Sequence, residues 1–180
     1  MEEITFLCVL KTGGQYNASH VERLRWQVGQ EVVCLTDDPE VQGATIPLTE
    51  NWPGWWSKLE LFKHNLGKCC YLDLDVTVQR LDWVYGLRGD FCAWVDPYPG
   101  RVSHLNSSFM LWEGAQPQLI DGFNESRKHE ARSDQEWIAK RIHPELVGEP
   151  DIVSFKKHGR PREAGLVVYH GHPKPWEYPD

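Results

Sequence analysis

The chain reads as an α/β domain with a mostly parallel central sheet flanked by helices, and three observations predict it. The opening segment runs strand, helix, strand, which is a βαβ unit and requires parallel pairing. Residues 69–72, Cys-Cys-Tyr-Leu, are apolar without alternation, as in a strand buried on both faces, and they end in Asp73-Leu74-Asp75. No internal repeat and no Pro/Gly/Ser-rich linker interrupts the 180 residues, so one domain spanning 1–180 is expected.

The elements follow in order. Ile4-Thr5-Phe6-Leu7-Cys8-Val9-Leu10 is a buried strand, and Lys11-Thr12-Gly13-Gly14-Gln15-Tyr16-Asn17 is the loop after it. A Gly-Gly pair alone is not a dinucleotide fingerprint. A helix begins near Ser19, with Val21, Leu24, Arg25 and Val28 at helical spacing, and a second strand covers 31–35 before Thr36-Asp37-Asp38-Pro39. Residues 44–48 form an edge segment, and Asn51-Trp52-Pro53-Gly54 marks a turn. Ser57 and Glu60 have capping-box spacing at the head of a helix whose stripe is Leu59, Phe62 and Leu66 and which stops at Gly67.

Beyond the acidic run, the pattern predicts a short helix over 81–87, a strand over 90–95, a loop over 97–105, and a strand entered through Asn106-Ser107-Ser108. A helix over 116–123 follows, then a charged connection and a further helix capped by Ser133, with Glu136 three residues on. Strands over 152–155 and 166–170 flank the basic loop 156–162, and the last breaks into Gly171-His172-Pro173-Lys174-Pro175-Trp176.

Composition narrows the function classes. Charged residues are 25% and the formal net charge is -7, which argues against a nucleic-acid polymer as partner, although local basic groups can still hold a phosphate. The five Cys lie in apolar runs with no C-x-x-C pair, so neither zinc nor a disulfide scaffold is supported and a reducing cytoplasm is expected. No run of about 18 uncharged apolar residues suggests a transmembrane segment, and Met-Glu-Glu-Ile does not begin as a signal peptide. Among nine Trp, those at 52, 55, 56 and 176 stand in polar or Pro/Gly-rich surroundings, where flat rings pack on sugars or anchor loops.

Carboxylates at the carboxyl end of a parallel strand sit where open α/β sheets bind ligands. As residues i and i+2 of a strand, Asp73 and Asp75 would share a face and could approach one divalent cation, and their hard oxygens suit Mg²⁺ or Mn²⁺. The same letters also fit solvated acids where a strand becomes a loop. Lys58 falls in the first turn of its predicted helix, where the macrodipole disfavours a cation; a ligand phosphate would offset this, and an ordinary exposed Lys is the alternative.

Taken together and in this order, Tyr71-Leu72-Asp73-Leu74-Asp75-Val76, Asn106-Ser107-Ser108-Phe109-Met110, Asp134-Gln135 and His170-Gly171-His172-Pro173-Lys174-Pro175-Trp176 resemble the nucleotide-sugar glycosyltransferases of the GT-A fold. The group they look most like is glycosyltransferase family 8, with its glycogenin-like and galactosyltransferase-like enzymes. The resemblance implies a nucleoside diphosphate sugar donor, UDP- or GDP-linked, an acceptor that is a glycan, lipid, protein or small molecule, and Mn²⁺ or Mg²⁺ on Asp73, Asp75 and His170. It further implies that Lys174 meets the diphosphate and that Asn106, Ser107 and the catalytic pair Asp134 and Gln135 contact the transferred sugar. Lys11, Thr12, Tyr16 and Asp37 fall where the nucleoside is held, and Lys58 and Trp176 complete the substrate-binding set. Retention of stereochemistry follows only by analogy.

One departure concerns the metal histidine, which in the family stands where this chain has Val168. His170 would share a face with Val168 on a continuing strand, and His172 is its rival. Asp73-Leu74-Asp75-Val76-Thr77 also satisfies the D-x-D-x-T pattern of haloacid-dehalogenase-like phosphatases, but that motif belongs on a first strand, and here it follows two. A catalytically silent sugar-nucleotide-binding module is the third reading.

Overall fold

The computed structural model describes residues 3–98 and 104–178. Strand β1 (Ile4–Leu10) leads to helix α1 (Ala18–Val28), β2 (Val32–Thr36) and the short edge strand β3 (Thr45–Pro47). Asn17 caps α1 by accepting from the Ser19 amide at 3.1 Å, while the His20 ring returns a contact to the Asn17 amide; Gly29, at φ 71°, ends the helix in the left-handed conformation a glycine tolerates best. A 3-10 segment (Gly54–Lys63) precedes β4 (Lys68–Leu72) and β5 (Val76–Val78). Then come β6 (Phe91–Val95), β7 (Leu105–Glu113), α2 (Asp134–Ala139), β8 (Glu145–Val147), β9 (Ile152–Ser154), the single turn α3 (Phe155–His158) and β10 (Leu166–Val168).

The main sheet has the order β3-β2-β1-β4-β7-β6-β8. It is parallel from β3 to β4, β7 runs antiparallel between β4 and β6, and β8 pairs parallel with β6. The expected α/β architecture with a largely parallel sheet is therefore present. Alternation along the strands feeds two cores: Phe6, Cys8 and Leu10 of β1 with Cys70 and Leu72 of β4 face α1, and Leu7 and Val9 with Cys69 and Tyr71 face the 54–63 segment and α2.

Several local expectations change. The acidic run is not one strand: β4 ends at Leu72, the chain turns at 73–75, and β5 joins β10 and β9 in a separate three-stranded sheet. The segment at 54–63 is 3-10 and begins after Pro53, which has no polar side chain to cap it, while Ser57, inside the segment, bonds through Oγ to the Gly54 carbonyl at 2.7 Å. Glu60 is buried instead, taking the Thr49 amide and hydroxyl and the Glu50 amide. At α2, Ser133 does cap the Glu136 amide, but the Glu136 carboxylate accepts from Arg132. The helix expected over 116–123 shrinks to one 3-10 turn at Pro117–Leu119, the basic loop begins as α3, and the terminal strand stops at Val168. Part of the 97–105 loop, residues 99–103, lies outside the described residues.

All five thiols are free and buried. Burial raises the Cys69 thiol to about 11 and Cys70 further; Cys34, which a hydrogen bond from Cys8 lowers, has no exposed surface. Iodoacetamide is therefore expected to leave the native protein unlabelled and to modify it only after denaturation; fast native labelling seen by mass spectrometry would contradict this packing. Among the described residues no helix is long and apolar enough to cross a membrane.

Candidate active site

A cavity of about 510 Å³ opens at the carboxyl ends of β1 and β4, lined by Lys11, Tyr16, Lys58, Asp73, Asp75 and Lys174 together with Trp55 and Gly171. This is where a parallel sheet leaves ligand space, since the loops after its strands diverge there. The acids reach the cavity from the turn between two sheets rather than from a strand face. The Asp73 amide is held by the Ser108 carbonyl of β7 at 3.0 Å, and the Asp75 carbonyl accepts from the Tyr169 amide after β10 at 3.3 Å.

Each acid is paired with a lysine. Lys174 Nζ lies 2.6 Å from Asp75 Oδ2 and 2.9 Å from the Tyr16 hydroxyl, which itself donates to Asp75 at 3.0 Å. Lys174 is 3% and Asp75 8% exposed, so this pair is shielded from bulk water. Lys58 Nζ meets Asp73 at 3.0 Å, Ser107 Oγ at 3.4 Å and Asp134 at 3.5 Å. Ser107 donates to Asp134 at 2.7 Å, and the Tyr71 hydroxyl donates to Asp73 at 2.5 Å.

The electrostatics follow from this crowding. Burial pushes the Asp75 carboxyl above the ordinary range and neighbouring Asp73 adds to it, against the pull of Lys174 and Tyr16. Burial would lower the Lys58 ammonium, but Asp134 and Asp73 outweigh it and hold the group above its usual value, fully charged at neutral pH. Burial and then the nearby carboxylates keep Tyr16 and Tyr71 protonated, as donors.

Lys11 lines the cavity, whereas Thr12 and Asp37 do not; the Lys11 ammonium and the Thr12 amide and hydroxyl converge on Asp37, with the Thr12 bonds at 2.8 and 2.9 Å, and Lys11 also reaches Asn51 at 3.2 Å. Burial opposes ionisation of Asp37, but these donors bring its carboxyl below the usual value. Asn106 turns inward to accept from the Ser108 amide at 2.9 Å, and Asp134, 4% exposed at the head of α2, acts on the cavity through Lys58 and Ser107. Its neighbour Gln135 is half-buried and does not line the cavity.

The structure does not bring His170 to the acids. With β10 ending at Val168, strand alternation no longer directs it, and its ring stacks on Trp94 at 5.1 Å with Tyr98 edge-on at 5.6 Å. His172 is exposed and faces Glu177 at 3.1 Å. Among the described residues no group of three His, Cys, Asp or Glu could hold a metal. The donor set therefore does not fit a three-ligand protein site with His170, but two carboxylates on one cavity do fit the pattern in which ligand phosphates complete the shell of Mg²⁺ or Mn²⁺.

The tryptophans divide. Trp52 and Trp56 pack on Phe123 at 4.7 and 5.1 Å in the core, whereas Trp55, 56% exposed, borders the cavity, and Trp176 stands edge-on to His20 at 4.3 Å. Sequence reasoning missed Tyr71, although its position two residues before Asp73 on β4 was a usable signal, and it missed Arg23, for which helical spacing holds none.

No family model and no curated protein matches the chain. Solved structures do. The glycosyltransferase GlyE of Streptococcus pneumoniae TIGR4 aligns over 97% of this chain and 57% of its own, with TM-score 0.67 and 15% identity. Galactosyltransferase LgtC, solved with donor and acceptor sugar analogs, aligns over 96% of this chain and 89% of its own, with TM-score 0.64 and 13% identity. A glycosyltransferase involved in glycosylating the major capsid of PBCV-1 aligns over 92% and 91%, with TM-score 0.51 and 14% identity. At such identities the likeness establishes the fold, which is of the GT-A type.

Proposed function

We propose that this chain transfers a sugar from a nucleoside diphosphate donor, UDP- or GDP-linked, to an acceptor hydroxyl on a glycan, lipid, protein or small molecule, with residues 1–180 as one catalytic domain. The carrying observation is the pair of acid–lysine couples, Asp73 with Lys58 and Asp75 with Lys174, on one cavity at the carboxyl edge of the sheet. Departure of a nucleoside diphosphate concentrates negative charge on its oxygens, and two ammoniums bordering that space, Lys174 buried and Lys58 partly buried, can stabilise it. Asp73 and Asp75 would hold the Mn²⁺ or Mg²⁺, which supplies Lewis acidity to the leaving diphosphate. Lys11, Thr12, Tyr16 and Asp37 hold the nucleoside end. Lys58, Ser107 and Asp134 form the wall against which the transferred sugar is oriented, with Asn106 fixing the entry of β7. Buried free thiols suit a reducing, cytoplasmic setting.

Galactosyltransferase LgtC was solved with donor and acceptor sugar analogs, which supports the donor class here by analogy of fold. The test is a hydrolysis screen of UDP- and GDP-sugars with Mn²⁺, Mg²⁺ or EDTA. We expect slow cleavage of at least one donor, dependent on the cation. Calorimetry should find Mn²⁺ binding weak alone and at least about tenfold tighter with the matching nucleoside diphosphate, because the diphosphate draws Lys174 away from the carboxylate that the cation needs. Absence of binding and cleavage for every donor overturns the proposal; binding without cleavage indicates the silent module.

A further inference from the structure

We propose that Arg23 is a positioning residue for the acidic turn, holding Asp75 and the Lys174-Pro175-Trp176 segment in one arrangement. Arg23 Nη2 donates to the Leu74 carbonyl at 2.6 Å and to the Val76 carbonyl at 3.0 Å, the two carbonyls that flank Asp75. Its guanidinium carbon lies 5.7 Å from the centre of the Trp176 ring, two residues after Lys174. One planar cation on α1 thus meets the backbone on both sides of one active-site charge and the aromatic ring beside the other.

The physical need is clear from the turn itself. Leu74 and Val76 are buried; the Leu74 carbonyl lies in the break after β4, and Val76 opens β5, an edge strand whose only ladder partner is β10, so both carbonyls have room for a partner from elsewhere. Charge-assisted bonds to a rigid fork restrict direction more than a single ammonium can. The other anchors of the turn, Ser108 of β7 and Tyr169 after β10, hold the backbone of Asp73 and Asp75 and leave the flanking peptides to Arg23. Burial lowers the Arg23 guanidinium from its usual value, and the Asp75 charge is the largest cause opposing that.

This inference rests on the proposed donor reading, and the test separates the two. Arg23→Met, Arg23→Lys and, as a control on the same helix, the exposed Trp26→Ala would be compared for melting temperature, for donor hydrolysis and for the NMR signal of the Lys174 ammonium, assigned by its absence in Lys174→Gln. We expect Arg23→Met to lower kcat by about 10²-fold, the scale of a misplaced catalytic group, with donor KM changed less than about threefold. Arg23→Lys, which can keep one of the two bonds, should be intermediate, and the Lys174 signal should shift in both. Trp26→Ala should match the wild type. If Arg23→Met only lowers the melting temperature while kcat and the Lys174 signal stay as in the wild type, Arg23 is structural and the inference fails. Should Arg23→Met not fold, Arg23→Lys decides by the same readouts. If the wild type cleaves no donor, the donor reading fails, and the Lys174 signal alone decides for or against Arg23.

Discussion

Asp75→Asn is expected to abolish transfer, by more than about 10³-fold, and also to destabilise the protein. The first effect follows from removing the carboxylate that meets Lys174, Tyr16 and the proposed cation, groups that together supply several kcal/mol of stabilisation as the diphosphate leaves. The second follows from burial. Lys174 would be left with only the neutral Tyr16 hydroxyl, and stranding one member of a buried pair costs about 3–5 kcal/mol, roughly a 10 °C fall in melting temperature for a chain of this size. Asp75→Asn combined with Lys174→Gln removes both charges and should recover most of the melting temperature while transfer stays absent, a non-additivity that a double-mutant cycle measures. Retention of both activity and melting temperature in Asp75→Asn would show that the pair is incidental. Because the folded carboxyl lies above its ordinary value, Asp75 itself opposes folding at neutral pH, a cost that Asp75→Asn relieves, so the net fall in melting temperature is smaller than the stranded lysine alone would give. That opposition fades as pH falls through the folded value toward the unfolded one, roughly 3.9.

Lys58→Met should be the next most damaging change. It removes the ammonium shared by Asp73, Ser107 and Asp134 and leaves two carboxylates around an apolar side chain. We expect kcat to fall by about 10²-fold and the acid limb of the pH–rate profile to move upward, since one carboxylate then retains a proton to relieve repulsion. The folded Lys58 ammonium lies above its usual value, so its contribution to stability is complete below the unfolded lysine value, roughly 10.4, and is lost only as pH rises through the folded one. No pH dependence of stability from this group is therefore expected between 5 and about 9. An activity within twofold of the wild type across pH would refute the assignment of Lys58 to the diphosphate and sugar wall.

Much of the framework was legible in the letters because it rests on local periodicity. The apolar runs of β1 and β4, the helical spacing after Asn17 and the Ser133 cap each encode an element through contacts within a few residues. Chain order then implied the parallel sheet, and the order of the acidic, Asn-Ser-Ser, Asp-Gln and Lys-Pro-Trp motifs implied the type of fold that the solved structures share. Helix type was less legible. Ser57 and Glu60 have capping-box spacing, yet Glu60 found better partners at Thr49 and Glu50, because a buried carboxylate with three donors outweighs one at a solvated helix end.

By itself the sequence determined the α/β class, the first βαβ unit and the gathering of acids at a strand end, since apolar spacing and chain order dictate which faces are buried. Only the tertiary structure decided what each acid touches. That Lys174 answers Asp75 from 99 residues away, that Lys58 joins Asp73 to Asp134, that Arg23 clasps the turn and that His170 lies against Trp94 all depend on where loops end in space. Side-chain direction there follows from which donors and rings converge on a break between two sheets, and neither propensity nor period carries that information.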